Sequence, residues 1–198
     1  MSPSVIEALA DIKRLKREVL ESHQFYGYSG FGRLLGGLLA LLCAILLSTS
    51  LIPQTNQAHL VVYGGLCSAA ALVNYTALFL WFRRAGDYER TRLKPVLDPL
   101  PALVAGGIIS VACIQRGYFD LLFGIWMVCF GVAHLAAREA LDQEMSYLGL
   151  FYIAAGAVAL FILPAQFLDP WPMGIVFCLG ESLGGLIFLR MRGRIRDE

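Results

Sequence analysis

Apolar residues along this chain come in six blocks separated by short polar stretches. A helix rises about 1.5 Å per residue, so about 20 apolar residues cross a hydrocarbon core of about 30 Å. The blocks place spans at about 31–51, 59–82, 98–115, 118–137, 147–164 and 171–189. Their connections are brief. An uncharged loop, Pro53-Gln54-Thr55-Asn56-Gln57, follows the first block, and a Gln115-Arg116-Gly117 turn joins the third to the fourth. Pro95, Pro99 and Pro101 punctuate the entry to the third, where Asp98 suits an N-cap and Pro99 the first helical position. The pattern predicts an all-α membrane protein of six transmembrane helices arranged as three hairpins.

Ahead of the first block, residues 4–22 alternate differently. Ser4 and Glu7 match the S-x-x-E capping box. Val5, Ala8, Ile12, Leu15 and Val19 then recur at heptad spacing, with Lys13, Arg14, Lys16 and Arg17 on the other faces. An amphipathic helix is expected, lying on the membrane surface, packing on the bundle or pairing with a partner helix. Gly27-Tyr28-Ser29-Gly30-Phe31-Gly32 suits a hinge, and no signal-peptide cleavage pattern precedes it. The expected organisation is a cytoplasmic helix and hinge over 1–28, a transmembrane domain over 29–191 and a basic tail over 192–198.

Charge fixes the expected orientation. Of 16 lysines and arginines, only Arg116 falls on the side that holds the 53–57 loop. The rest lie in the N-terminal helix, at Arg33, in the 83–94 loop, at Arg138 and in the tail. Because short loops rich in Lys and Arg stay inside, both ends are expected in the cytoplasm of a bacterial inner membrane. Trp81 and Phe82 on one side, and Tyr118, Phe119 and Trp171 on the other, suit interfacial belts. With 58% hydrophobic residues, 16% charged and a net charge of +1, nothing here suits nucleic-acid binding.

Candidate chemistry is sparse. Glu181 is a carboxylate deep in the sixth block, where a charge is costly unless it faces the bundle or a cavity. It reads either as a proton- or cation-handling group or as a neutral acid bonded to a neighbour. His134 lies at a compatible depth in the fourth block, so the two could form a relay, or His134 could snorkel to the interface. Asn74 and Tyr75 are weaker candidates that suit bonds to a neighbouring helix. The five cysteines lie within apolar blocks without metal-ligand spacing, His59 and His134 sit at opposite depths, and no cofactor or metal is expected. No nucleotide loop, zinc-protease or serine-hydrolase motif occurs, so the chain reads as a non-enzyme.

Small residues point to packing. Gly32-x-x-x-Gly36 and Gly180-x-x-x-Gly184 suit close helix approach. The steps Gly36-Gly37, Gly106-Gly107 and Ala155-Gly156 fall in alternate blocks, as parallel repeats of a hairpin would place them. The run from Ile6-Glu7-Ala8-Leu9 through Ser29-Gly30-Phe31-Gly32 to Gly36-Gly37-Leu38 carries a further likeness. So do Leu122-Phe123-Gly124-Ile125-Trp126-Met127 with Gly131, and Leu148-Gly149 with Ala155-Gly156. Together these stretches resemble a family of small bacterial six-span membrane proteins without an assigned activity. That resemblance implies association with winged-helix regulators encoded nearby, and it carries over no catalytic residue.

The function expected from these observations is a membrane sensor, regulator or assembly partner acting through its cytoplasmic face. Its partners would be the lipid bilayer and a cytoplasmic protein or further copies of itself. The alternative is a small transporter or channel in which Glu181, with or without His134, couples protons or cations.

Overall fold

The structure is a computed structural model that describes residues 29–84, 94–138, 143–162 and 166–196. The expected amphipathic helix with Lys13, Arg14, Lys16 and Arg17 lies outside the described residues, as does most of the 83–94 loop. The described residues form helices α1 (Gly30–Leu47), α2 (Asn56–Arg84), α3 (Leu100–Gln115), α4 (Leu122–Ala136), α5 (Gln143–Phe161) and α6 (Trp171–Arg196). A single turn, Lys94–Leu97, precedes α3, and a 3-10 turn, Phe119–Leu121, leads into α4. The helix α4 with that turn, and α1, α2, α5 and α6, are each long and apolar enough to cross a membrane. The helix α3, at 16 residues, rises only about 24 Å and is shorter than that.

Local chemistry sets the ends. Ser29 caps α1 by accepting from the Gly32 N–H at 3.1 Å. The helix stops at Leu47, short of the apolar run through Ile52, because side chains take its last carbonyls. Ser48 Oγ donates to Ala44 O at 2.8 Å, Thr49 Oγ1 to Leu46 O at 2.7 Å and Gln54 Nε2 to Leu47 O at 3.0 Å. At the start of α3 the cap is Pro99, with no side-chain bond, so Asp98 is not the N-cap that its sequence position suggests. Pro101 fills an early helical position, where a missing N–H costs nothing. The α3–α4 turn is a Schellman motif: Tyr118 N–H donates to Cys113 O at 2.8 Å and Gly117 N–H to Ile114 O at 3.1 Å. Gly117 has φ +77°, which only glycine adopts freely. The helix α6 continues through Arg196, so the backbone of Arg192, Arg194 and Arg196 extends the last span rather than forming a separate tail.

Two helix pairs pack most extensively, α1 with α6 and α4 with α5. Both seams rest on small residues. In α4–α5, Gly124 faces Gly156 and Gly131 faces Gly149, each glycine lying against its partner's carbonyl oxygen. A Cβ at Gly131 would lie 2.5 Å from Gly149 O, and one at Gly156 2.8 Å from Gly124 O. The two pairs sit a heptad apart on antiparallel helices, the spacing that keeps one seam in register. In α1–α6, Gly30 meets Gly185, Gly37 meets the Cys178–Ser182 stretch, and Ala40 and Ala44 meet Gly174. A Cβ at Gly36 would meet nothing within 4 Å, and one at Gly32 would lie 3.4 Å from its own cap Ser29 and 3.6 Å from the Asn74 side chain. The Gly32/Gly36 motif therefore does not form the α1 seam. The heptad step from Gly30 to Gly37 does.

The helix α2 stands apart. Only 6% of its spanning window is buried, against 33–39% in the other four, so its flanks are left for lipid or other molecules. It lies against α1, with the Asn74 side chain beside Gly32, and near its start Tyr63 packs edge-on to Phe123 and Trp126 of α4. Trp126 Nε1 in turn donates to Ser110 Oγ at 2.8 Å, fastening α3 to α4.

These seams give a stability ordering. Gly131→Ala is expected to destabilise the protein by about 1–3 kcal/mol through overpacking, while Gly36→Ala and Gly107→Ala, in open space, are expected to change little. Thermal unfolding in detergent distinguishes the two sets. Equal effects would contradict this packing.

Candidate functional site

Four helices meet at one polar cluster. From α6, Glu181 places Oε1 2.8 Å from Nη2 of Arg33 on α1. The same Nη2 lies 2.7 Å from Nε2 of His134 on α4. From α5, the Tyr152 hydroxyl donates to Glu181 Oε1 at 3.0 Å. The Arg33 and Glu181 side chains are 11% and 12% exposed, and Tyr152 is fully buried, so the cluster lies inside the bundle.

Hydrogen-bond logic fixes the histidine. A guanidinium has donors and no acceptor, so His134 Nε2 must accept from Arg33 and carry no proton. His134 Nδ1 lies 2.8 Å from Phe130 O, which can only accept, so Nδ1 holds the proton and the ring is the neutral tautomer. A second proton on His134 would set one cation against another. The cluster thus holds one cation, one anion and two neutral groups that orient them.

The glycines of α6 make this possible. A Cβ at Gly180 would collide with the Tyr152 hydroxyl, and one at Gly184 would come within 2.7 Å of Arg33 Nε. The Gly180/Gly184 motif thus opens space for the side chains of the cluster, where the sequence suggests a plain backbone seam. Phe130 and Phe177 pack edge-on or tilted against Tyr152 and each other, with ring centroids 5.0–5.2 Å apart. The Phe188 ring sits 5.8 Å from the Arg33 guanidinium, a cation–π distance.

Of the residues singled out in the sequence, Glu181 and His134 come together, but through Arg33 rather than directly. The sequence reading counts Arg33 with the cytoplasmic charges, but its guanidinium is turned into the bundle. Asn74 donates to Ala70 O of its own helix at 2.9 Å instead of to a neighbour, and Tyr75 is 53% exposed, so neither joins the cluster. Arg33 and Tyr152 were missed. The signal for Arg33 was available: a buried carboxylate needs a cation, and Arg33 is an isolated arginine within an apolar helix. Among the described residues no group of three metal-ligating side chains converges.

The class these features define is an all-helical protein, with several helices long and apolar enough to cross a membrane and an ion pair buried between them. No protein-family model matches the chain, and neither a curated protein nor a solved structure matches it.

Removing one member of a buried ion pair leaves the other unsatisfied, at a cost of about 3–5 kcal/mol. Glu181→Met and Arg33→Met are each expected to lose stability on that scale, while the double variant Arg33→Met with Glu181→Met recovers most of it. Thermal unfolding of the four proteins in one detergent measures the coupling. Additive losses would show that the two charges do not interact.

Proposed function

We propose that the chain is a six-span protein of the bacterial cytoplasmic membrane, with both termini inside, that acts without enzymatic chemistry as a sensor, regulator or assembly partner. The third span is the 16-residue α3, extended by its proline-rich approach. Orientation rests on the sidedness of Lys and Arg, which survives the loss of Arg33 from the count because the 83–94 loop, the N-terminal segment and the tail carry it. The resemblance to small six-span bacterial proteins supports the same reading.

The observation that carries the proposal is where the ion pair sits. Arg33 is in the first turn of α1, directly after the N-terminal segment, and its partner is on α6, which leads into the C-terminal arginines. The pair therefore clamps together the two helices that carry both cytoplasmic ends. Anything that changes its geometry moves those ends relative to each other, and anything bound to them bears on the pair. Coupling of this kind needs a two-state element that both sites bias. In this reading the two helices joined by the clamp are the element that both would bias, and the 4–22 segment, amphipathic in sequence, offers the surface for a cytoplasmic protein.

The rival, a proton or cation carrier built on Glu181 and His134, fits the cluster less well. A carrier carboxylate must trade its proton or ion with an aqueous path. Glu181 instead faces a fixed guanidinium and a tyrosine hydroxyl, and His134 is committed at both nitrogens.

Three measurements test the reading. Alkaline phosphatase fused in the 53–57 loop is expected to be active and fused after residue 198 inactive; the reverse pattern would invert the orientation. Affinity capture from detergent extracts is expected to recover a protein that is lost on deleting residues 1–24, and Glu181→Gln is expected to alter its recovery by about tenfold, a coupling of about 1.4 kcal/mol. Failure to capture any partner, with no phenotype on deletion, would contradict the proposal. In liposomes, the wild-type protein is expected to carry no proton or cation flux above protein-free vesicles. A flux that Glu181→Gln abolishes would establish the rival.

A further inference from the structure

The end of the bundle opposite Arg33 holds a second ensemble that the clamp does not use. Phe167, on the turn between α5 and α6, is 1% exposed. Its ring lies 5.3 Å from Phe123, 5.7 Å from Tyr63 and Phe119, 6.2 Å from Trp126 and 6.3 Å from His59. Its backbone N–H donates to Asp120 Oδ1 at 2.7 Å. A residue from a connecting turn thus fills an aromatic box built by α2, α4 and the 3-10 turn.

The fit is incomplete in one respect. The Tyr63 hydroxyl and His59 Nε2 are buried without a hydrogen-bond partner, on residues 3% and 0% exposed and one helical turn apart on α2. His59 Nδ1 lies 3.1 Å from Thr55 O and must donate to it, which leaves Nε2 a bare acceptor. Buried polar groups are normally paired, because an unpaired one forfeits its hydration with nothing in return. Phe167 offers only hydrocarbon to this wall. It satisfies the shape of the box and the Asp120 carboxylate, but neither polar group.

We propose that this box is a ligand site occupied in cis by Phe167, and that its ligand is an arylethylamine bearing a ring hydroxyl. A phenylalanine residue has that skeleton itself: an aromatic ring, two carbons and a nitrogen. A ligand of this class seats its ring where the Phe167 ring lies and sets its ammonium on the Asp120 carboxylate, a charge-assisted bond stronger than the neutral N–H that it replaces. Its phenolic O–H donates to His59 Nε2 and accepts from the Tyr63 hydroxyl. The surrounding rings of Tyr63, Phe123 and Trp126 favour a nearby cation. Ligand and Phe167 exclude each other, so the apparent affinity is reduced by the fraction of protein with the box open.

The test titrates the purified full chain in detergent with 4-hydroxyphenethylamine, read by thermal stability and tryptophan fluorescence. Saturable stabilisation is expected, weakened about tenfold or more for phenethylamine, which lacks the hydroxyl, and for 4-ethylphenol, which lacks the amine. Asp120→Asn is expected to weaken binding of the amine without affecting 4-ethylphenol. Phe167→Ala empties the box and is expected to bind about tenfold more tightly. If that variant does not fold, Tyr63→Phe carries the test. Without ligand it is expected to unfold at a higher temperature than wild type, having lost an unpaired hydroxyl, and it should prefer the hydroxylated amine less. The proposal is overturned if neither the wild type nor any folded box variant binds saturably at millimolar concentration, or if all three compounds bind alike.

Discussion

A guanidinium and a carboxylate between apolar helices persist only together, since each alone would sit uncompensated in a medium that cannot hydrate it. Arg33 and Glu181 meet that constraint, and much of the bundle is arranged around it. The pair gains further hydrogen bonds from α4 and α5 through His134 and Tyr152, while Arg33 Nε stays buried without a hydrogen-bond partner. One ion pair therefore recruits side chains from four helices. It also fixes their rotation, because each helix must turn a single polar residue toward the same point.

The small residues follow from that arrangement. Two long side chains can meet inside a tight bundle only where backbone facing them carries no side chain, and Gly180 and Gly184 provide those gaps. Elsewhere the glycines bring backbones close: Gly124 with Gly156 and Gly131 with Gly149 set α4 against α5, and Gly30 with Gly185 sets α1 against α6. Lipid offers no hydrophobic drive for helices to associate, so close van der Waals packing and buried polar bonds must supply it. Both are concentrated in α1, α4, α5 and α6. The helices α2 and α3 pack on this core less extensively, α2 against α1 and through Tyr63 against α4, and α3 against α4 with the Trp126–Ser110 bond, which suits a peripheral position.

How much of this was legible in the sequence differs by level. Element type and approximate place were, because length and hydropathy dominate them: every apolar block is a helix in the described residues. Ends were less so. The first helix stops at Leu47 and the third starts after Pro99, decided by Ser48, Thr49, Gln54 and the prolines rather than by hydropathy. At the site, Glu181 stood out because a lone acid in an apolar run is conspicuous, and His134 because its depth matched. Arg33 lay near a span end, where arginine ordinarily faces the aqueous side, so its position alone suggested exposure; the signal for it lay in Glu181, since a buried carboxylate needs a cation. Tyr152 was silent for a similar reason, since a tyrosine in a span is unremarkable until a carboxylate lies opposite. The GxxxG pattern misled for α1 because the true seam follows a heptad step, while for α6 the motif was right and its purpose was different.

The arrangement at the centre of this account is most directly tested by the protonation pattern of His134. Nitrogen-15 NMR of the protein labelled at its three histidines, with His134 assigned by the signals lost in His134→Gln, reads the state of each ring nitrogen. If Arg33 bridges Glu181 and His134, the ring is neutral, with its proton on Nδ1 and Nε2 bare, and this pattern changes in Arg33→Met. An Nε2-protonated or doubly protonated ring, or a spectrum indifferent to Arg33→Met, would contradict it.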